Sequence, residues 1–478
     1  MSLETEYYML KKILWVFFEK GTLTIIQFVS LIILSRLLGP EDYGIYGIMT
    51  IFIAVSTMLV DSGLGGALVQ KKDIDSLDIN TLFYTNTAIS LVLYLALFFS
   101  APFIEQYYGI TSLAKYIRVL GISILVFALT QVQNALLARD LQFRKSAIIN
   151  IIASVISMVA AILIAKKGLG VWALIYQALI NSIVVSLLVW ITTKTRIGLA
   201  VSRGSLNYFW RFGSNVLGAN ILDVVVSNIT TSIIPKIDSI GRSGLYFQAS
   251  KISNIPINIL ALSVDKFSFP VLSKEKKHSL FLEKARMINR NLLFVIIPVF
   301  PILSYCSYPV VHLVLGEKWL EAAPYFSVLV WSGIGLFIQV LYRNMIKANG
   351  ITKYLLLVEV VKSLVLLTGI IVSAFYGVWP IIYCVVGMSV FGVILWSICV
   401  KKVLDFNYSE QLSDIKKPII SLLIVLATLF IINVPEHSYM RFAVIVLVSM
   451  EYLVISYLLR NEELIIMLNR VKGFLHKQ

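Results

Sequence analysis

The residues of this sequence that are equipped for chemistry are ionisable side chains set inside apolar runs: Glu19 and Lys20, Asp61, Asp223, Lys251, and Glu359 with Lys362. An ionised group at mid-bilayer costs about 2.5–3.5 kcal/mol, so it faces a partner or a water-filled cavity. An ammonium held there attracts an anion, which makes Lys20, Lys251 and Lys362 candidate ligand contacts. A carboxylate there can take up H+ or Na+, which makes Glu19, Asp61, Asp223 and Glu359 candidates for ion coupling or gating. Glu359 and Lys362, three residues apart on a helix, can instead satisfy each other. Lys251 has no acidic residue three or four positions away, and Asp223 has no basic partner within a turn. Arg36, at the end of its run, is suited equally to snorkelling and to ligand contact. Catalytic chemistry is not expected. The four histidines are dispersed without metal spacing, and Cys306, Cys384 and Cys399 fall at unrelated intervals in apolar runs. Gly63-Leu64-Gly65-Gly66 lacks the lysine of a phosphate loop and is read as a helix-packing site. No metal or cofactor is implied.

The elements that position these groups follow from composition. Of 478 residues, 58% are hydrophobic and 14% charged, and the mean hydropathy is +0.86. A single aqueous core would leave apolar patches far larger than soluble proteins tolerate, so the chain belongs in a bilayer. Runs of about 20 apolar residues suffice to cross one. Fourteen such runs are found: six from Lys12 to Ile191, six from Phe209 to Val400, and a pair from Pro418 to Val434 and Met440 to Leu459. The segment before Leu37 lacks the features of a cleaved signal peptide and is read as the first span. The expected fold is an all-α integral membrane protein of about 14 transmembrane helices.

The net charge of +15 is explained by orientation. Alternate loops hold 28 and 9 Lys and Arg residues, and basic residues concentrate on the cytoplasmic side. Both termini and the basic segment Ser273 to Arg290 are therefore expected in the cytoplasm, and nucleic acid is not an expected partner. Outer loops are too short for a catalytic domain.

The sequence also repeats itself. Shifted by 200 residues, the stretch from Ile32 faces that from Ser232, pairing Arg36 with Lys236, Gly44 with Gly244 and Tyr46 with Tyr246. Gly170-Val171-Trp172-Ala173 recurs as Gly377-Val378-Trp379-Pro380. The matches have equal orientation, which predicts a parallel repeat about an axis along the membrane normal. The expected organisation is a six-helix lobe over 1–200, a second over 201–402, and helices 13 and 14 with a tail over 403–478.

Several stretches carry a family resemblance: LSRLLGPEDYGIYGIM, DSGLGGALVQKKD from Asp61, LLARDLQFRK from Leu136 and GLYFQASKISNIPINILALSVDKFSFPVLSK from Gly244. Together they resemble the polysaccharide transporter, Wzx-like branch of the multidrug/oligosaccharidyl-lipid/polysaccharide flippase superfamily. Lys266, beside Asp265, departs from the arginine or apolar residue expected there. The resemblance implies two six-helix lobes around a cavity lined by the first, second, seventh and eighth helices. It implies translocation of an undecaprenyl-diphosphate-linked oligosaccharide between leaflets of a bacterial cytoplasmic (inner) membrane by alternating access, for O-antigen or exopolysaccharide export. Lys20, Arg36, Lys251 and Lys362 would then meet the diphosphate, and Tyr46, Tyr246 and Phe247 the sugar faces. Expected partners are the lipid-linked oligosaccharide and the bilayer, with a polysaccharide polymerase, a chain-length regulator and H+ or Na+ as candidates. An ion-coupled exporter of cationic drugs shares the architecture but calls for an acidic cavity. A membrane polymerase or ligase calls for a sizeable outer loop.

Overall fold

The computed structural model describes residues 3–458 except 62–63, 276, 352, 433 and 436–438, and their side chains except those of 3–13, 211–220, 223, 262–263 and 266. Among the described residues the regular structure is helical. The chain divides into two compact units, Met1–Gly244 and Leu245–Gln478.

The first unit contains α1 (Leu3–Leu37), α2 (Pro40–Asp61), α3 (Leu64–Gln70), α4 (Ser76–Tyr108), α5 (Leu113–Arg139), α6 (Phe143–Lys166), α7 (Trp172–Thr193) and α8 (Arg203–Ile237). Helix α9 (Ile240–Ser273) crosses the boundary. The second unit continues with α10 (His278–Ile296), α11 (Val299–Tyr305), α12 (Ser307–Val314), a 3-10 turn (Glu317–Ala322), α13 (Ala323–Leu329), α14 (Ser332–Ala348), α15 (Lys353–Ala374), α16 (Val378–Leu404), α17 (Tyr408–Ile432) and α18 (Met440–Leu458).

Among the described residues, twelve helical stretches are long and apolar enough to cross a membrane. The seventh and eighth spans expected from sequence fall on α8 and α9. At 35 and 34 residues, and 1.5 Å per residue, both are long enough to cross. Among the described residues the apolar stretch found within α8 is Val224–Ile237, and α9 carries Gln248, Lys251, Asn254, Asn258 and Asp265 among its apolar residues.

Local chemistry sets the joints of the first unit. Asp75 and Asp78 form a capping box that starts α4, satisfying backbone N–H groups that have no helical acceptor. The Asp78 carboxylate also receives the Lys71 ammonium at 2.6 Å. Arg139, at the end of α5, donates to the carbonyls of Leu68 at 2.9 Å, Lys72 at 2.6 Å, and Lys71, supplying donors to the orphan carbonyls where α3 ends. Two of the stretches that carry the family resemblance thus meet as scaffold. The α4–α5 corner turns on Gly109 at φ +69, with the Glu105 carboxylate accepting the Ala114 N–H at 2.7 Å.

Polar side-chain bonds tie α1, α6 and α7. Asn150 donates to Glu19 at 2.6 Å, Gln177 to Ser30 at 2.8 Å, and Asn181 to Ser157 at 3.4 Å. Such bonds specify helix pairing where lipid supplies no hydrophobic drive. Where α2 meets the first turn of α9, glycine is required by close approach. A Cβ on Gly44 would lie 2.1 Å from the Ile240 carbonyl oxygen, and one on Gly244 would lie 1.8 Å from that of Pro40.

In the second unit, close packing of α14 on α16 again needs small residues: a Cβ on Gly335 would meet the Ser389 backbone at 2.7 Å. Arg286 of α10 binds Glu410 and Asp414 of α17 at 2.9 and 3.0 Å. An apolar cluster of Phe294, Val425, Leu429, Val444, Val448 and Tyr452 joins α10, α17 and α18.

Each unit carries the same aromatic arrangement at the start of a long helix. In the first, Tyr116 meets Trp172 edge-on at 5.1 Å, and Trp172 stacks on Tyr176 at 5.5 Å. In the second, Tyr325 meets Trp379 edge-on at 5.1 Å, and Trp379 stacks on Tyr383 at 5.9 Å.

Candidate functional site

Helix α9 presents the clearest candidate surface. Phe247, Lys251, Asn254 and Asn258 recur at helical spacing, so they share one face. Lys251, Asn254 and Asn258 are exposed, whereas Ala249, Ile252, Ser253 and Ile257 behind them are buried. Within the stripe the Lys251 ammonium stands 4.5 Å from the Phe247 ring centroid, a cation–π contact that preserves the charge for a second partner. Asn254 donates to Ser250 at 3.3 Å. Pro256 lies two residues further along and removes a backbone donor from the same stretch. Charge and carboxamides on the open side of a membrane helix belong against water, since lipid offers them no partner.

Helix α1 shows a shorter version. Lys20 and Gln27 are exposed and Thr24 is half-buried, again at one-face spacing, with the Thr24 hydroxyl donating to the Lys20 carbonyl at 2.8 Å. Glu19 points elsewhere, to Asn150 of α6. Arg36 is exposed near the end of α1, and Tyr46 packs against the apolar cluster around Ile48, Met49 and Ile117. Asp61 ends α2 and is half-buried. Asp223 lies on α8 and Lys266 on α9, with side chains outside the described ones.

In the second unit Tyr246 is buried, 5% exposed, beside the half-buried Phe247. Glu359 and Lys362 form the ion pair their spacing predicts, at 2.5 Å. Lys362 also approaches Gln339 of α14 at 3.5 Å, and Gln339 donates to the Ser389 carbonyl of α16 at 2.8 Å. The pair is therefore built into a three-helix knot, unlike Lys251. Sequence reasoning singled out Lys251 but missed Asn258 and Gln339, and also Asn150. A search for carboxamides at helical spacing from each intramembrane charge finds Asn258 and misses the others, whose partners are on different helices.

The chain matches the family described as polysaccharide biosynthesis protein over residues 33–324. It belongs to that family. It is 24% identical over 308 residues to the succinoglycan biosynthesis transport protein ExoT of Rhizobium meliloti (strain 1021), covering 64% of this chain and 62% of ExoT. It is 26% identical over 312 residues to the lipopolysaccharide biosynthesis protein WzxC of Escherichia coli (strain K12), covering 64% and 63%. Teichuronic acid biosynthesis protein TuaB of Bacillus subtilis (strain 168) is 25% identical over 324 residues, covering 67% of each chain. The matched region thus spans slightly under two thirds of ExoT and WzxC. The expected kinship with Wzx-like polysaccharide transporters holds. Among solved structures, the fold is similar to the lipid II flippase MurJ in an inward closed conformation. That likeness has a TM-score of 0.76 at 16% identity, covering 95% of this chain and 99% of MurJ. An inward-facing multidrug resistance MATE family transporter gives 0.58 at 16% identity, covering 80% and 94%. Among the described residues the fold is all-α and similar to that of MurJ.

Proposed function

We propose that this protein translocates an undecaprenyl-diphosphate-linked oligosaccharide from the inner to the outer leaflet of the bacterial cytoplasmic membrane by alternating access, for surface polysaccharide biosynthesis. The exposed α9 stripe carries this reading. An ammonium suits a diphosphate, carboxamides suit hydroxyls, and an aromatic ring suits a sugar face, and these types recur along the stripe. The family membership and the transport named for ExoT support it. An exporter of cationic drugs is disfavoured because Lys20 and Lys251, the exposed charges of the two stripes, are positive.

In this reading Lys251 meets the diphosphate, with Lys20, Arg36 and Lys362 as further cationic contacts. Phe247, Tyr246 and Tyr46 lie along the sugar path, and Glu19, Asp61, Asp223 and Glu359 respond to H+ or Na+. A polymerase and a chain-length regulator act on the product. The organisation we propose is a parallel repeat, 1–200 and 201–402, followed by a helix pair over 403–478. Recurrence of the Tyr-Trp-Tyr arrangement supports the repeat. So does the glycine contact, because a 200-residue shift maps Gly44 against Ile240 onto Gly244 against Pro40.

The test is Lys251→Ala. Charge-assisted contacts of this kind contribute about 1.5–3 kcal/mol, so substrate binding should weaken about tenfold to a hundredfold. Surface polysaccharide should fall at unchanged protein level, and Lys251→Arg should retain part of the activity. Wild-type export by Lys251→Ala at equal expression would remove the diphosphate assignment.

The same reading places both termini and the Ser273 to Arg290 segment in the cytoplasm, on the basic-residue asymmetry. A cysteine introduced at Ser279 should be protected in intact cells from an impermeant thiol reagent and react after permeabilisation. Labelling in intact cells would reverse the orientation.

A further inference from the structure

The second unit contains a cavity of about 560 Å3 with a charge in its wall. Leu426, Leu429, Phe430 and Ile431 of α17 form an apolar side, and Arg441, in the first turn of α18, is the charged residue of the lining. Arg441 is only 9% exposed. Its guanidinium donates through Nε and Nη2 to the Val434 carbonyl at 3.3 and 3.1 Å and through Nη1 to the Tyr305 carbonyl at 2.5 Å, and it stands 4.5 Å from the Tyr305 ring centroid. These bonds leave part of the five-donor fork unused, and every acceptor is neutral. Among the described residues no carboxylate forms an ion pair with it. Carbonyls return hydrogen bonds but no net charge, so the desolvation of this buried cation stays uncompensated.

The depth of the cavity selects the kind of anion that would answer it. Val434 and Arg441 flank the connection between α17 and α18, at the ends of two spans, which is the level of lipid headgroups. From there the apolar wall follows α17 back to Leu426, six residues or about 9 Å from the helix end at Ile432. Phe430 and Ile431 are exposed at the rim, and apolar side chains open on a span belong against hydrocarbon. Two further polar groups of the lining are already committed: Trp331 donates to the Ser304 hydroxyl at 3.0 Å, and Ser304 to the Ser327 carbonyl at 2.7 Å. The volume falls within the range of about 300–1,000 Å3 usual for ligand sites.

We infer that this cavity holds an anionic phospholipid, with its phosphate on Arg441 and an acyl chain along Leu429 and Leu426. A guanidinium pairs with phosphate through parallel N–H donors and supplies the missing counter-charge. Free phosphate would leave the apolar wall wet, and a zwitterionic headgroup would bring a second positive charge toward the guanidinium. The inference assigns the cavity to a lipid of the bilayer rather than to the cargo, so it can fail while the flippase reading stands, and the reverse.

The experiment uses the full chain purified in detergent, titrated with dioleoylphosphatidylglycerol or, separately, dioleoylphosphatidylcholine. Retained lipid is counted by native mass spectrometry, and thermal unfolding is followed in parallel. Phosphatidylglycerol should raise the Tm by about 2 °C or more over phosphatidylcholine. A phosphatidylglycerol with a diazirine on its acyl chain should label the peptide that contains Leu426 and Ile431. Arg441→Met should weaken phosphatidylglycerol binding about tenfold or more, and Arg441→Lys should retain part of it. Because Arg441 also holds two carbonyls, Arg441→Met should lower the Tm in either lipid, and the site predicts that the difference between the lipids disappears as well. A capping role alone would lower the Tm and keep that difference. If Arg441→Met does not fold, Leu426→Trp carries the test: it fills the apolar end, leaves the guanidinium in place, and should abolish labelling with a loss of affinity of about tenfold or more. Glu436, five residues before Arg441 and outside the described residues, is the competing counter-charge. Glu436→Gln should leave the stabilisation by phosphatidylglycerol intact, whereas a Tm loss equal to that of Arg441→Met would make Glu436 the partner and overturn the site. Equal retention of the two lipids by the wild type also overturns it, as does displacement of the label by undecaprenyl phosphate at lower concentration than by phosphatidylglycerol.

Discussion

Gly244→Ala is expected to cost about 3 kcal/mol or more and to abolish export, as is Gly44→Ala. Overpacking by a methyl group usually costs about 1–3 kcal/mol, because neighbouring side chains shift to make room. Here the obstacles are main-chain atoms. A methyl group added at Gly244 would be 1.8 Å from the Pro40 carbonyl oxygen and 2.7 Å from its carbon, and one added at Gly44 would be 2.1 Å from the Ile240 carbonyl oxygen. Relief requires separating α2 from the first turn of α9. Gly21→Ala is the control, since nothing lies within 4 Å of its Cβ position, and helix propensity then favours alanine by about 0.8–1.0 kcal/mol. Thermal unfolding of the three purified variants decides the matter. A wild-type Tm for Gly244→Ala would mean that the helices do not meet there.

Arg286→Met should lower stability by about 3–5 kcal/mol, the range found when one partner of a buried ion pair is removed. The Asp414 side chain is only 4% exposed, and it receives Arg286 through Nε at 3.3 Å and Nη2 at 3.0 Å. Without that guanidinium its nearest remaining cation is Arg290, at 4.0 Å. Ser413 and Glu410 lose their Arg286 contacts too. Helix α17 should then loosen from α10, with increased protease sensitivity between Leu404 and Tyr408. Lysine at position 286 should rescue poorly, because a single ammonium cannot serve Glu410 and Asp414 as a planar fork does. Adding Asp414→Asn to Arg286→Met should recover part of the loss by removing the stranded charge. If the single substitution leaves the Tm and the proteolysis pattern unchanged, the cluster contributes no more than an exposed ion pair.

How far these features could be read from the sequence depended on whether their physics is local. Apolar runs, basic-residue asymmetry and the Glu359–Lys362 pair are local in sequence, and each was legible. Lys251 was legible as an intramembrane charge without an acidic neighbour, and its α9 stripe follows from helical spacing once Asn258 is included. The Glu19–Asn150 bond joins residues far apart in the chain, and hydropathy gives a lone carboxamide little weight, so Asn150 drew no notice. The Arg286 cluster was hidden differently. Its arginine was counted among basic residues that orient the chain, whereas its geometry shows a guanidinium committed to a neighbouring helix. The stretch from Leu136 drew notice as a family signature, and the reason for Arg139 within it became visible only when the Leu68, Lys71 and Lys72 carbonyls came into reach.

The paired Trp-Tyr stacks have a bearing on membrane thickness. Indole and phenol rings settle at the boundary between headgroups and hydrocarbon, so the helix end that carries each stack is held at a fixed depth. Helix α7 has 22 residues and α16 has 27, or about 33 Å and 40 Å at 1.5 Å per residue, against hydrocarbon of about 30 Å. The excess must be taken up by tilt, or at the opposite ends, where Lys194 follows α7 and Lys401 and Lys402 close α16. Long flexible ammonium arms can reach the interface over a range of depths, whereas a stacked ring pair cannot. Thinning or thickening the bilayer should therefore displace the lysine ends of these helices and leave the tryptophan ends in register, so that within each unit a change of lipid is felt at the lysine pole.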